Sequence, residues 1–444
     1  MKQCIKNNYL SASILVLSIL FLACNKTLDM GNRLSNSVEA QSDVSFLRID
    51  ATVYPGIIPD DANDDSRAMQ ALFNSAAFGT VIFFPAGKYL IDTPVTILAK
   101  GITIKGQTNT VFQFGNATTD WYNAWYYNVG MINIGADSIT IDSITLDQNF
   151  RESGRNGSGG AAPEAPVIAG IIIGSYPDTG SSHSKISKRL KAIAITNTRV
   201  IDYYGDAITV FNASVTDYTV SGNTLISAYV YEGWDTLNHL PLGHGGQSIS
   251  IAGGSNITIT HNVIYGALDD AIATHASAVN VSITNNTITT TGGRILLIGI
   301  QTGTVSYNTI KYLNNQHGDG IWITFAASGG HPVMNDSLIV SNNKITINGF
   351  SGNHGIRLYG PGTKIHVFKN ILKTAIDNKA DGFEITNQIA NSLSLNYFGN
   401  EIYVNGNRIL NYGTRINYHL TSSIYPLTPA TAFLVDTTGN ILKP

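Results

Sequence analysis

The stretch GALDDAIATH (266–275) sets two adjacent carboxylates, Asp269 and Asp270, in front of a short apolar alternation. Arg294 takes the same place in GRILLIG (293–299), Asp319 in GDGIWIT (318–324), His354 in NHGIRLY (353–359) and Asp381 in ADGFEIT (380–386). Two earlier alternations, GDAITV (205–210) and GQSISI (246–251), carry Asp206 and Gln247 there. Separated carboxylates with a basic group between them suit acid–base catalysis, one giving a proton while the other takes one. Two like charges side by side raise the pKa of one of the pair, which keeps an acid protonated near neutrality. A single aspartate before a strand more often only caps backbone amides. Capping gives no reason for Gln, Arg and His to share the position.

What must position these residues is a repeat. Each alternation is followed by a second strand and an asparagine before another apolar step: Asn223, Asn262, Asn286, Asn308, Asn343 and Asn370. The tightest intervals are 22 to 27 residues, a period that signals a β-solenoid made of short strands and turns. The asparagines are read as structure, since Asn suits tight corners and can hydrogen-bond from coil to coil. Aligning the coils stacks Asp206, Gln247, Asp270, Arg294, Asp319, His354 and Asp381 in one column, where the earlier coils have Gly130 and Ala169. In each strand the second and fourth residues after the column point inward, and the third, such as Trp322, Arg357 or Glu384, points outward.

The spacing then limits the chemistry. Asp270 and Asp319 are two coils apart, about 9–10 Å at the usual strand spacing. Carboxylates separated by roughly 6.5–9.5 Å suit an inverting glycosidase. The expected roles are Asp270, coupled to Asp269, as acid and Asp319 as the base that activates water, with Arg294 between them keeping Asp319 ionised. Asp206, Gln247, His354, Arg357 and Asp381 would line subsites along the groove. Trp322, His275 and Tyr359 are expected outward on the same face, where aromatic rings can stack on sugars. Two insertions, 151–166 and 231–245, are expected to wall the groove, the second offering His244.

Composition agrees with this and excludes other classes. Charged residues are 13% of 444 and glycines number 43, which suits β-structure with many turns. Lys and Arg total 27 against 30 acids with no basic run, so nucleic acid is not an expected partner. Lys2 and Lys6 precede an apolar run that ends in FLAC, which fits a signal peptide over 1–23. Cys24 sits where a bacterial lipoprotein signal places its lipidated cysteine; an ordinary secretory leader is the alternative. Residues 24–45 read as a polar tether, and 46–444 as one β-helix domain. Both cysteines, Cys4 and Cys24, lie in or beside the leader, so the domain offers no disulfide and no thiolate metal site. The expected location is the bacterial cell envelope, in the periplasm or on the outer membrane.

Near the N-terminus, NDDSRAMQALFNSA (63–76) reads as a helix with Asp64 or Asp65 as N-cap and Met69, Leu72 and Phe73 on one face. It would cover the open end of the solenoid. It runs into GTVIFFPAGKYLI (79–91). This segment resembles the start of the pectate-lyase-like right-handed parallel β-helices, in which an Asp-rich helix start leads into a Phe-Pro-x-Gly-x-Tyr strand. The resemblance implies an all-β, single-stranded right-handed parallel β-helix. Within that superfamily Asp269-Asp270 looks like the Asp-Asp motif of polygalacturonases. Gln247, Arg294 and "WIT" stand where polygalacturonases carry an aspartate, a histidine and Arg-Ile-Lys, so altered chemistry is implied. The expected function is cleavage of glycosidic bonds in a polysaccharide or oligosaccharide by an inverting hydrolase without cofactor. One alternative is a polysaccharide lyase or uronate epimerase, with Arg294 as base or carboxylate neutraliser and Ca²⁺ held by Asp269, Asp270 and Asp319. A second is a non-catalytic glycan-binding surface protein.

Overall fold

The computed structural model describes residues 47–443, apart from 116–129, 150–168, 178–183, 229–245, 268–269, 276–277, 313–317, 329–330, 348–353, 360–361, 375–380, 387–400, 406–407, 411–413, 420–433, 437–440 and a few single positions. The leader, Cys24, the tether, His244, Asp269 and both long insertions therefore lie outside the described residues.

Short apolar alternations separated by turns cannot bury both faces of a strand alone, so each coil stacks on the next. Among the described residues three parallel sheets of 13, 12 and 11 strands result, and neighbours within each sheet come from successive coils. The architecture is a right-handed parallel β-helix. The inward positions fill its interior with aliphatic side chains, among them Ile208, Ile249, Ile272, Ile295, Ile321 and Ile356, all buried. Two antiparallel hairpins, Ser175–Pro177 with Ser184–Ile186 and Ala326–Ser328 with His331–Val333, interrupt the parallel pattern. The repeat gave no sign of them, because both lie in stretches between its regular strands.

One corner is held by the six expected asparagines. Each donates Nδ2 to the Oδ1 of the next, at 2.9 to 3.0 Å, from Asn223 to Asn370. Each Oδ1 also accepts the backbone N–H of the residue one coil before, as Asn286 does from Asn262. All six are buried.

Helix α1 (Ser66–Ser75) buries Met69, Leu72 and Phe73. Its two candidate caps divide the work. Asp64 Oδ1 accepts the Ser66 backbone N–H. Asp65 instead reaches sideways, accepting from Ile58 N through Oδ1 and from Leu90 N through Oδ2. The helix is tied to the first third-sheet strand by Gln70, whose Oε1 accepts from Thr96 N while its Nε2 donates to Thr96 O. The FPAGKY motif is explained by packing. Phe84 meets Phe73, Tyr89 and Phe112 edge-on. Gly87 has φ +140°, and a Cβ there would come within 2.5 Å of Pro59.

Candidate functional site

The third sheet carries the polar column. Its register pairs Ala169 with Gly130, Ile171 with Ile208 and Ile208 with Ile249, so Asp206 and Gln247 continue the position held earlier by small residues. Asp270 aligns with Arg294, and His354 with Asp381. Between Asp270 and Ile272 the register shifts by one residue. Gly293 makes room for this bulge, since a Cβ there would lie 2.9 Å from Ala271 N.

The bulge decides which carboxylate receives the arginine. Arg294 Nε lies 2.9 Å from Asp270 Oδ1. Its N–H is not aligned for a hydrogen bond, so the contact is chiefly coulombic. Gln247 Nε2 donates to Asp270 Oδ2 at 3.2 Å, and Gln247 N donates to Asp206 Oδ1 at 2.8 Å. With its amide nitrogen on Asp270, Gln247 turns Oε1 to His275 Nε2, 3.3 Å away. That assignment makes His275 the donor from Nε2. Gln247 precedes its strand and His275 follows the next, so their contact crosses the outer face above Ser250 and Ala273. Both are small, and both are buried.

Asp319 has a separate set of partners. Oδ1 accepts the backbone N–H of His354 at 3.2 Å and lies 2.6 Å from His354 Nδ1. Oδ2 has Arg357 Nη1 at 3.7 Å. The basic groups at Asp319 are thus His354 and Arg357, whereas the sequence expectation gave it Arg294. The guanidinium lands instead on the carboxylate expected to be the acid, and an arginine beside a carboxyl favours its charged form. Trp322 joins the two clusters: the guanidinium carbons of Arg294 and Arg357 lie 4.3 and 5.0 Å from its ring centre. The ring so holds two cations at the surface.

Burial is pronounced for a surface site. Asp270, Asp319 and His354 are 1%, 4% and 5% exposed. Gln247, His275, Arg294, Trp322, Arg357 and Asp206 are half-buried. Asp381 is placed only by its backbone register, and the Tyr359 side chain lies outside the described residues. Among the described residues no three His, Cys, Asp or Glu side chains converge as metal ligands.

Two residues behind the column escaped the sequence reading. Tyr312 donates its hydroxyl to the Asp319 carbonyl at 2.7 Å; burial, then the Asp319 charge, pushes its phenol well above the ordinary value, so it stays a donor. Tyr203 shares a 2.5 Å hydrogen bond with Ser248 Oγ. For Tyr312 a signal existed: in Thr309–Tyr312 the burial alternates, and the tyrosine falls on the inward parity.

Comparison with known proteins agrees with this architecture. Residues 53–160 match the family model described as rhamnogalacturonase A/epimerase, pectate lyase-like, and residues 236–398 match the right handed beta helix region. The family 28 exopolygalacturonase of Yersinia enterocolitica is similar in structure, with TM-score 0.51 and 10% identity over 89% of this chain and 78% of that one. A tailspike protein of E. coli bacteriophage HK620, in complex with a pentasaccharide, gives 0.53 and 11% over 89% and 66%. No curated protein matches the sequence. At these identities the likeness is one of fold, and it upholds the resemblance to pectate-lyase-like β-helices.

Proposed function

We propose that this chain is a carbohydrate-active enzyme that hydrolyses glycosidic bonds of a polysaccharide or oligosaccharide on its third sheet, with inversion. One observation carries the reading. Two carboxylates are buried to 1% and 4% in a column that earlier coils fill with Gly130 and Ala169. Burying charge is costly even when it is paired. The coil does not need it, so the charge serves something else. A carbohydrate partner is also in keeping with the two similar structures, one an exopolygalacturonase and the other in complex with a pentasaccharide.

The charge pattern reverses the roles expected from spacing. Asp270, beside Arg294, is the carboxylate that takes a proton from water. The leaving oxygen is protonated from the Asp319 side, two strand spacings or about 9–10 Å along the axis. That distance leaves room for a water across the sugar ring, as inversion requires. Arg294, Arg357, Gln247 and His275 offer donors for sugar hydroxyls. Incubation with a glycan panel, read for reducing ends, unsaturated product and anomeric configuration, tests this. Asp270→Asn and Asp319→Asn should each lose at least about a hundredfold in turnover while keeping glycan binding. Near-native turnover in both, or retained configuration, would refute the hydrolase.

The two guanidiniums at Trp322 favour one second reading, a polysaccharide lyase or uronate epimerase in which they neutralise a uronate carboxylate. Product absorbing in the near ultraviolet would select the lyase. A non-catalytic glycan-binding protein would show no turnover for Asp270→Asn to abolish. We infer also that Cys24 is lipidated and anchors the chain in the cell envelope through the 24–45 tether. Cys24→Ala should release it from the membrane fraction; unchanged retention would count against the anchor.

A further inference from the structure

We propose that His354 hands the proton to the leaving oxygen, and that Asp319 is the positioning residue that holds it. The proposal rests on the hydrolase reading above and moves its proton donor one coil on, three strand spacings or about 14 Å from Asp270 along the axis, with the imidazole reaching back to Asp319. With Asp319 as a carboxylate, each of its contacts among the described residues is one it accepts, His354 Nδ1 being the donor. Oδ1 takes the backbone N–H and faces Nδ1 of His354, and Oδ2 faces Arg357. A carboxylate engaged in this way is poorly placed to deliver a proton of its own.

The same contacts fix the imidazole. Two bonds to one carboxylate oxygen clamp the backbone-proximal edge of His354, which directs Nε2 to the far edge of the ring. Tyr312 secures the clamp from behind through the Asp319 carbonyl. A histidine oriented by a carboxylate through Nδ1 is a recurrent device for moving a proton at Nε2 near neutral pH. The charged groups placed around it are Asp319, just before the preceding strand of the sheet, and Arg357 on its own strand. Asp381 holds the next register position, and the adjoining strand Lys344–Ile347 adds Lys344, which is exposed.

The step balances. The Nε2–H bond of the imidazolium breaks as that proton bonds to the glycosidic oxygen. The bond from the anomeric carbon to that oxygen breaks, and its electron pair goes to the oxygen. Water bonds to the anomeric carbon and its proton passes to the Asp270 carboxylate. The cycle leaves a neutral His354 and a protonated Asp270, and proton exchange with solvent restores both.

The test compares the glycan that the wild type cleaves with the nitrophenyl glycoside of the same sugar, whose leaving group needs no proton. His354→Gln should lose at least about a hundredfold on the glycan and less than about tenfold on the nitrophenyl glycoside. Asp319→Asn should move the alkaline limb of the pH–rate profile to lower pH, because the imidazolium loses its negative neighbour. A merely structural role for Asp319 would not move that limb. Equal losses on both substrates, or an unmoved limb, overturn the assignment and leave the hydrolase reading standing. A wild type inactive on the whole panel overturns both. If His354→Gln does not fold, or the nitrophenyl glycoside is not a substrate, the Asp319→Asn limb decides alone.

Discussion

Replacing Asn286 by alanine tests whether the asparagine ladder holds the coils together. The side chain donates Nδ2 to Asn308 Oδ1 and to the Ile259 carbonyl. Its Oδ1 accepts from Asn262 N and Asn262 Nδ2. Asn262 Nδ2 keeps a second acceptor at the Val220 carbonyl, so the heaviest loss falls on the buried Asn262 backbone N–H. Four bonds at about 1 kcal/mol net each come to about 4 kcal/mol. An unfolding entropy of about 2.1 cal/mol/K per residue over roughly 400 residues gives about 0.8 kcal/mol/K, and therefore a loss of about 5 °C in Tm. Asn286→Asp should be worse than alanine, because it turns an acceptor toward the acceptors at Ile259 and Asn308. Thr287→Ala, next in the chain and exposed, should stay within about 0.5 kcal/mol. Urea unfolding followed by far-ultraviolet circular dichroism measures all three. A cost below about 1 kcal/mol for Asn286→Ala, no larger than the Thr287 control, would refute the argument.

Burial, with help from Asp61 and Asp64, pushes the Asp65 carboxyl up to about 6 against the backbone N–H groups of Ile58 and Leu90. The folded state then binds more protons than the unfolded one between about pH 4 and 6, so the contribution of Asp65 to stability falls as pH rises through that window. The Tm difference between wild type and Asp65→Asn should shrink over the same range, and a flat or growing difference would contradict the sign. Tyr218→Phe should be neutral or stabilising by up to about 1 kcal/mol, because the buried Tyr218 hydroxyl has no hydrogen-bond partner among the described residues and removing an unsatisfied group relieves its desolvation cost. A destabilisation above about 1 kcal/mol in urea titration would mean that the hydroxyl has a partner after all.

How far the sequence could be read depends on side-chain length. The ladder asparagines are short, and each recurs at a fixed place in its coil. Once the period is known, the partner of each can only be the one above or below, and the bonds from Asn223 to Asn370 follow. The same holds for the inward isoleucines and for α1, where helical spacing alone singles out Met69, Leu72 and Phe73. The column itself was legible as a column, with Gly130 and Ala169 giving way to Asp206 and its successors.

What the spacing could not carry is the choice a long side chain makes between two neighbours. Arg294 stands one coil from both Asp270 and Asp319 in the repeat, and nothing in GGRILLIG says which it meets. The answer lies in the strand Arg294–Ile298, where the inward isoleucine follows the column residue by one position and not by two, so that Arg294 aligns with Asp270 while Ile295 aligns with both Ile272 and Ile321. That slip puts Arg294 in register with Asp270 and leaves Asp319 to His354 and Arg357, which come from one coil later. The expected inward places after Arg294, Leu296 and Ile298, are corrected by one: Ile295 and Leu297 point inward and Leu296 lies beside Trp322, a shift that a run of four apolar residues conceals. Yet the slip changes which carboxylate is charge-paired, and with it which group can give a proton. The catalytic roles argued above therefore depend on a local backbone irregularity more than on the identity of the residues in the column. Side-chain length also explains why Gln247 and His275, five residues apart in coil position, meet across the outer face. The small Ser250 and Ala273 are paired between them, and bulkier residues at those two positions would hold them apart.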